Sequence, residues 1–402
     1  MHEQTAAPNA AVLVSLDFGT PDYAESLQEL RLLAISAGVE VVALVEGRRQ
    51  RPDASLFAGS GKVDEIAAIV EQYAADVEHP VAPLVIFNHD LSPAQMRNLT
   101  AKIKARVIDR TMLILDIFAL RAKSHEGKVQ VELAQLKYLS TRLVGMNTDM
   151  GQQKYAVGAR GPGETQLELD RRKLDKRVQL LKERLKDLKR HRQVQRRSRG
   201  RSEIFSVSIV GYTNAGKSTL FNKLTQANVY VADQLFATLD TVSRRVFLPD
   251  DGPREGDAEG GGSSPAARAQ VILSDTVGFI RHLPHGLVAA FSSTLEETTQ
   301  ADLLLHVVDS NSVERFDQIA EVNKVLLEIG AQNISQILVF NKIDLQGMSP
   351  DMQRDEYGRI ARIHLSAKTG AGVDGLRGAM AEVRDALKQE VPLQEWHPLN
   401  HK

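Results

Sequence analysis

The stretch Gly211-Tyr212-Thr213-Asn214-Ala215-Gly216-Lys217-Ser218 constrains this chain more than any other. An apolar run, Val207–Val210, leads into it, and a helical pattern, Thr219–Leu224, leads out. GxxxxGKS in that context is a strand–loop–helix unit whose glycines let backbone N–H groups curl around phosphate oxygens, with the positive end of the helix behind them. Lys217 can reach the β- and γ-phosphates of a nucleoside triphosphate, and the Ser218 hydroxyl can ligate Mg2+. Four fixed positions match by chance in roughly 1% of chains this long. The feature commits this half of the chain to an α/β nucleotide-binding domain.

The loop alone does not choose the base; later residues do. After the apolar run Ile337–Phe340 comes Asn341-Lys342-Ile343-Asp344, which resembles the guanine-specificity motif of GTPases. A carboxylate at a strand end can accept two N–H bonds from the guanine edge, where adenine offers the wrong donors. Ile363–Leu365 leads to Ser366-Ala367-Lys368, which resembles the supporting base-binding motif. Between these pieces, Val271–Ser274 ends in Asp275-Thr276-Val277-Gly278, similar to the second switch: Asp275 would hold Mg2+ through water and the Gly278 N–H would touch the γ-phosphate. Phe236-Ala237-Thr238-Leu239-Asp240-Thr241 lies where the first switch belongs, and by resemblance Thr238, rather than Thr241, is the Mg2+ ligand. The predicted catalytic groups are Lys217, Asn214, Thr238 and Gly278. The predicted nucleotide contacts run from Gly211 to Thr219 and add Phe236, Ala237 and the motifs just named. Phe279 follows Gly278 where many GTPases place a water-orienting glutamine, so slow intrinsic turnover is expected. Asn214 has two readings of equal weight. It caps a turn, or it resembles the potassium ligand of cation-dependent GTPases.

The 402 residues predict more than one domain. There are no cysteines, which excludes disulfides, thiolate metal sites and cysteine nucleophiles. The longest apolar stretches, such as Met112–Leu120, are interrupted by charge and too short to span a membrane, and Glu3 with no basic leader argues against a secretory signal. A cytoplasmic protein is expected. Net charge is −1, yet Arg171–Arg201 holds 15 Lys/Arg against three acids, a local +12. Such segregation points to a polyanionic partner. The first 110 residues alternate short apolar runs with helical patterns, as a small parallel α/β sheet does. Residues 111–202 predict a long antiparallel helical hairpin: Leu133, Leu136, Leu139 and Leu143 mark one helix, and Leu174, Val178, Leu181, Leu185 and Leu188 form an a/d seam on the other. Its glycine-rich tip covers 145–163. The GTPase domain covers 203–389, with an acidic, Gly/Ser-rich insertion at 249–267 read as disordered, and a tail covers 390–402. Gly59-Ser60-Gly61-Lys62 resembles a phosphate loop but lacks the GxxxxGK spacing; it reads as a turn capping the helix Val63–Tyr73, and a second nucleotide site there stays open.

With these motifs placed, the chain resembles the HflX family of bacterial ribosome-associated GTPases. The resemblance also rests on Phe87-Asn88-His89-Asp90-Leu91-Ser92-Pro93, on Gly127-Lys128-Val129-Gln130-Val131-Glu132-Leu133, and on Gly161-Pro162-Gly163-Glu164-Thr165-Gln166 followed by Asp170-Arg171-Arg172. It implies GTP and GDP as ligands with Mg2+, binding to ribosomal RNA of the large subunit near the peptidyl-transferase centre, and splitting of stalled ribosomes under stress; a monomer is expected. The basic helix, and Lys154, Tyr155 and Arg160 in the tip, suit RNA phosphates and bases. Two other readings stay open: a nucleotide-gated switch that binds a protein partner and no RNA, and a tRNA-modification GTPase.

Overall fold

The computed structural model describes residues 10–76, 81–143, 162–199, 204–226, 234–248, 270–281 and 292–390. It contains two compact units: Met1–Ser198 with Ala232–Asp240 and Leu283–Phe291, and Arg199–Val231 with Thr241–His282 and Ser292–Lys402. The predicted helical region thus groups with the first sheet. Most of the tip loop, the insertion and nearly all of the tail lie outside the described residues.

In the first unit, β1 (Ala10–Asp17), β2 (Glu40–Arg48), β3 (Leu84–Phe87) and β4 (Val107–Asp109) form a parallel sheet in the order β2-β1-β3-β4. Strand β1 is buried along nearly its whole length, which is why it reads as a continuous apolar run. Helices α1 (Tyr23–Ser36), α2 (Ser60–Ala74) and α3 (Pro93–Ile103) make the crossovers. Ser92 and Gln95 form a capping box on α3, with Pro93 in the first turn. Helix α2 begins at Ser60, three residues earlier than the sequence pattern indicated, because Gly59 at φ 81° turns the chain directly into it.

Helices α4 (Arg110–Arg121), α5 (His125–Leu143) and α6 (Pro162–Arg199) follow. The buried Asp109 carboxylate caps α4 through the Met112 N–H at 2.9 Å and accepts from Arg142 of α5 at 2.8 Å. The Arg142 guanidinium lies 3.4 Å over the Tyr138 ring, and burial pushes the Tyr138 hydroxyl far up from its ordinary pKa. Val129 and Leu133 of α5 pack on Leu181 of α6, flanked by Leu136, Val178 and Leu185. All five seam positions of α6 are shielded, while the other described side chains from Arg171 to Arg190 are exposed.

The second unit is built on a seven-stranded sheet: β5 (Phe205–Gly211), β6 (Val242–Phe247), β7 (Gln270–Asp275), β8 (Leu303–Asp309), β9 (Ser335–Asn341), β10 (Asp351–Arg354) and β11 (Ile360–His364). Its order is β10-β11-β9-β8-β5-β7-β6, parallel except at the two edge strands. Around it lie α7 (Lys217–Thr225), α8 (Ser292–Thr299), α9 (Arg315–Glu328) and α10 (Val373–Glu390). Register places Asp275 beside Ile209, Val307 beside Gly211, and Asn341 beside Asp309. The carboxyl ends of the central strands therefore line one edge, where an open α/β sheet receives its ligand. Among the described residues, no helix is long and apolar enough to cross a membrane.

Candidate nucleotide site

Strand β5 ends at Gly211, whose φ of 148° and close approach to the Val307 carbonyl leave no room for a side chain. The loop then folds back on the second switch: the Thr213 N–H donates to the Phe279 carbonyl at 2.7 Å, and the Phe279 N–H donates to the Gly211 carbonyl at 3.1 Å. Gly216, at φ 94°, starts α7, and a Cβ there would stand 2.2 Å from the Asn341 side-chain nitrogen. Asn341 ties the pieces together. Its Nδ2 donates to the Ala215 carbonyl at 3.0 Å, and its Oδ1 accepts from the Ala367 N–H at 2.8 Å. The phosphate loop and the two base-binding motifs are thereby fixed by one buried side chain.

Lys217 is buried, and its Nζ donates to the Tyr212 carbonyl at 2.7 Å. Burial lowers its pKa from 10.5 to about 8, against the opposing pull of Asp275. The Ser218 hydroxyl donates to Asp275 Oδ2 at 2.7 Å, so two hard oxygen donors from the two motifs meet at one point, as a Mg2+ site requires. The Thr213 hydroxyl is buried with no hydrogen-bond partner among the described residues, an orphaned group inside a phosphate loop. A Cβ on Gly278 would stand 2.8 Å from Thr213 Cγ2 and 2.9 Å from Lys217 Nζ, which requires glycine there. Thr276 and Val277 are buried, and the Thr276 hydroxyl donates to the Ile209 carbonyl at 2.6 Å. Thr219 is half-buried in the first turn of α7.

At the base end, Asp344 is exposed, and its Oδ1 accepts from the Ser366 hydroxyl at 2.6 Å. That bond aims one carboxylate oxygen and leaves the exposed group open to a base. Lys342, at φ 67°, pairs with Asp309 at 2.7 Å, and Lys368 is exposed beside the pocket residues Ser366 and Ala367. Asn214 is exposed at φ 59°. That conformation suits asparagine better than most residues, so the turn role is present in the geometry. Phe279 is 1% exposed and has no means of orienting water.

Phe236, Ala237 and Thr238 are grouped with the first unit, while the remaining predicted contacts belong to the second. Sequence reasoning missed His306, a buried histidine on β8 whose pKa is pushed down to about 3 by burial and by Lys217. It also missed Arg281, which pairs with Glu314 at 2.8 Å and whose backbone N–H donates to the Tyr212 hydroxyl. Neither side chain falls in a motif, so only the fold brings them to the loop. Gly59 is the N-cap of α2, Ser60, Gly61 and Lys62 form its first turn, and Lys62 pairs with Glu65 at 2.7 Å.

A glycine loop closed by an asparagine, an acid at the neighbouring strand end and a serine-braced aspartate for the base make this second unit a P-loop GTPase domain. Family models agree along the chain: GTP-binding GTPase N-terminal over residues 24–119, GTP-binding GTPase middle region over 121–199, and 50S ribosome-binding GTPase over 206–342. The GTPase HflX of Escherichia coli (strain K12) is 49% identical over 383 residues, covering 95% of this chain and 84% of that protein. The GTPase HflX of Caldanaerobacter subterraneus subsp. tengcongensis is 44% identical over 380 residues, covering 94% and 82%. A solved GTP-binding protein from Sulfolobus solfataricus in complex with GDP shares 24% identity over 94% of this chain and 99% of that one, at a TM-score of 0.47. The chain belongs to the HflX GTPase family. It binds GTP and GDP and hydrolyses GTP.

Proposed function

We propose that this GTPase acts on the ribosome, binding the large subunit through its basic helix pair and splitting stalled ribosomes under stress as a cytoplasmic monomer. The observation that carries the reading is α6: a 38-residue helix whose seam packs on α5 and whose described side chains off that seam, between Arg171 and Arg190, are exposed and predominantly basic. A solvated coiled-coil face would balance its charges, whereas so large an excess of one sign suits a phosphate backbone. The family-model description of the GTPase domain supports the same partner.

At the site, Lys217 and the loop amides from Gly211 to Ser218 bind the phosphates, Asp344 reads the guanine edge, and Ser366, Ala367 and Lys368 support the base. Ser218, Thr238 and, through water, Asp275 would hold Mg2+. When bound, that ion neutralises charge on the β- and γ-phosphates. The Gly278 N–H meets the γ-phosphate. Phe279 cannot orient water and no arginine in the switch motifs is an evident finger, so charge neutralisation has to come from elsewhere, and we assign it to potassium held at Asn214. K+ should then speed hydrolysis over Na+ by about tenfold at equal ionic strength, roughly 1.4 kcal/mol of barrier. Asn214→Gly keeps the left-handed turn and removes the oxygen. Equal rates in the two salts, with and without ribosomes, would leave Asn214 a turn residue.

The partner is tested by ribosome-subunit profiling with purified protein and GTP, and by cosedimentation in a non-hydrolysable analogue. Charge reversal at Lys186 and Arg190 should release the protein from the large subunit. Cosedimentation that survives the reversal, or a protein that never enters the subunit fractions, favours a switch acting on a protein partner.

A further inference from the structure

The segment that carries Thr238 is anchored to the first unit at both ends. At one end, Gln234 accepts from the Arg121 guanidinium, and the Leu235 N–H donates to the Ser36 hydroxyl at 2.9 Å. Phe236 sets its ring edge-on to Phe118, with centroids 4.7 Å apart. It is buried at φ 56°, a conformation that side-chain-bearing residues rarely adopt. Such a geometry persists only where its surroundings impose it.

At the other end stands Asp240. Its Oδ2 accepts from the Lys123 and Ser124 N–H groups, both at 2.8 Å, and its Oδ1 accepts from the Ser124 hydroxyl. Ser124 is itself the N-cap of α5, since its hydroxyl oxygen accepts from the Gly127 N–H at 2.8 Å. The carboxylate therefore extends the cap at the positive end of the helix. Gly127 completes the fit: a Cβ there would stand 2.3 Å from Asp240 Oδ1 and 3.0 Å from Ser124 Oγ. A serine and a glycine of one helical turn, and an acid far along the chain from both, are shaped to one another.

We propose that Asp240 is a positioning residue for GTP hydrolysis: by closing the α5 cap it fixes the backbone that carries Thr238, two residues from both Asp240 and Phe236. The inference rests on the reading of Thr238 as the γ-phosphate and Mg2+ threonine. Asp240 acts through Thr238 and through chain geometry, and it touches no reacting atom. A threonine of this kind matters to the triphosphate state and not to the diphosphate state. That asymmetry separates positioning from mere folding.

The test compares Asp240→Ala, Asp240→Asn, Gly127→Ala and Thr238→Ala in the full chain. It measures GDP affinity, affinity for a non-hydrolysable GTP analogue with Mg2+, single-turnover hydrolysis, and hydrogen exchange at the amides of Lys123, Ser124 and Gly127. Asp240→Ala should slow hydrolysis by about ten- to a hundredfold, the scale of a small misplacement. It should weaken the analogue while leaving GDP affinity within about twofold. Asp240→Asn keeps an acceptor for the two amides and should recover most of the loss. Gly127→Ala should reproduce the defect without altering the switch segment. Faster exchange at Ser124 with unchanged hydrolysis and analogue affinity would make Asp240 a helix cap only. Equal loss of GDP and analogue, or faster hydrolysis, would also overturn the proposal. Thr238→Ala separates the two levels. If it keeps the preference for the analogue, the threonine reading fails; if it loses that preference while Asp240→Ala does not, the positioning of Thr238 by Asp240 fails alone.

Discussion

A lysine removed from water holds its proton weakly, and Lys217 shows what that means for a phosphate loop. Its pKa of about 8 in the folded chain lies below the 10.5 of an exposed lysine, so between those values the unfolded chain binds more protons than the folded one. Stability therefore rises with pH across that window, and below about pH 8 the buried ammonium is carried at a cost of roughly 3 kcal/mol. Phosphate oxygens restore what burial removed. Nucleotide binding should thus take up a proton at pH 9 and none at pH 7. Calorimetry at pH 9 in two buffers of different ionisation enthalpy reads this directly, and identical heats there would mean that Lys217 stays charged in the empty loop. At the base end, Asp344→Asn keeps an oxygen for the Ser366 hydroxyl, which donates to Oδ1 at 2.6 Å, so the pocket should stay intact. What it loses is the charged acceptor, worth roughly 1.5–3 kcal/mol, or about ten- to a hundredfold in GTP affinity, with preference moving toward XTP. Competition binding that finds GTP held as tightly as before would remove Asp344 from the base site.

At the scale of elements, what the sequence revealed follows from how local each signal is. The alternation of β1 to β4 with their helices is written in consecutive residues, and the capping box at Ser92 and Gln95 lies within one turn, so both could be read directly. The a/d seam of α6 is equally local, and Leu174, Val178, Leu181, Leu185 and Leu188 are the positions that the fold shields. The phosphate loop and the base motifs are short and contiguous for the same reason. By contrast, the Asn341 clasp on Ala215 and Ala367 joins three motifs through space. The Asp240 cap on Ser124 joins residues 116 positions apart. His306 came beside Val210, at the start of the phosphate loop, only through strand order. No periodicity or spacing announces such contacts, because they are set by topology. The seam makes its own prediction. Leu181 is fully buried in the small cluster between α5 and α6, and Leu181→Ala should cost about 2–5 kcal/mol. The loss should fall on the helix pair. Amide exchange in α6 should accelerate while exchange in β5, β8 and β9 is unchanged; a uniform change across both units would mean that the pair is not an independent element.

Over the whole molecule, charge is segregated by sequence rather than dispersed. Arg171–Arg201 carries a net +12, so the remainder of the chain carries a net −13. The described basic side chains Lys182, Arg184, Lys186 and Arg190 are exposed. Some of their neighbours already have acidic partners: Arg172 pairs with Glu168, Arg177 with Glu132, and Arg171 with Asp175 at 4.0 Å. Those exposed pairs are worth little in water, commonly under about 1 kcal/mol, and yield readily to phosphate. Binding to ribosomal RNA should therefore be governed by counterion release, with each neutralised phosphate adding to the steepness of the salt dependence. If about six phosphates are engaged, affinity should fall roughly a thousandfold between about 50 and about 200 mM salt. Reversing Lys186 and Arg190 should make the dependence shallower as well as weakening binding. GTP hydrolysis in the absence of ribosomes should be unaffected, since none of its groups lies on α6. Deleting 147–159 should likewise spare intrinsic hydrolysis and impair subunit splitting. The measurement is cosedimentation across a salt series, with parent and double reversal run in parallel. Equal salt slopes for the two proteins would mean that the basic helix is not what meets the RNA. A deletion that abolished intrinsic hydrolysis while splitting continued would refute the division of labour between helix pair and nucleotide site.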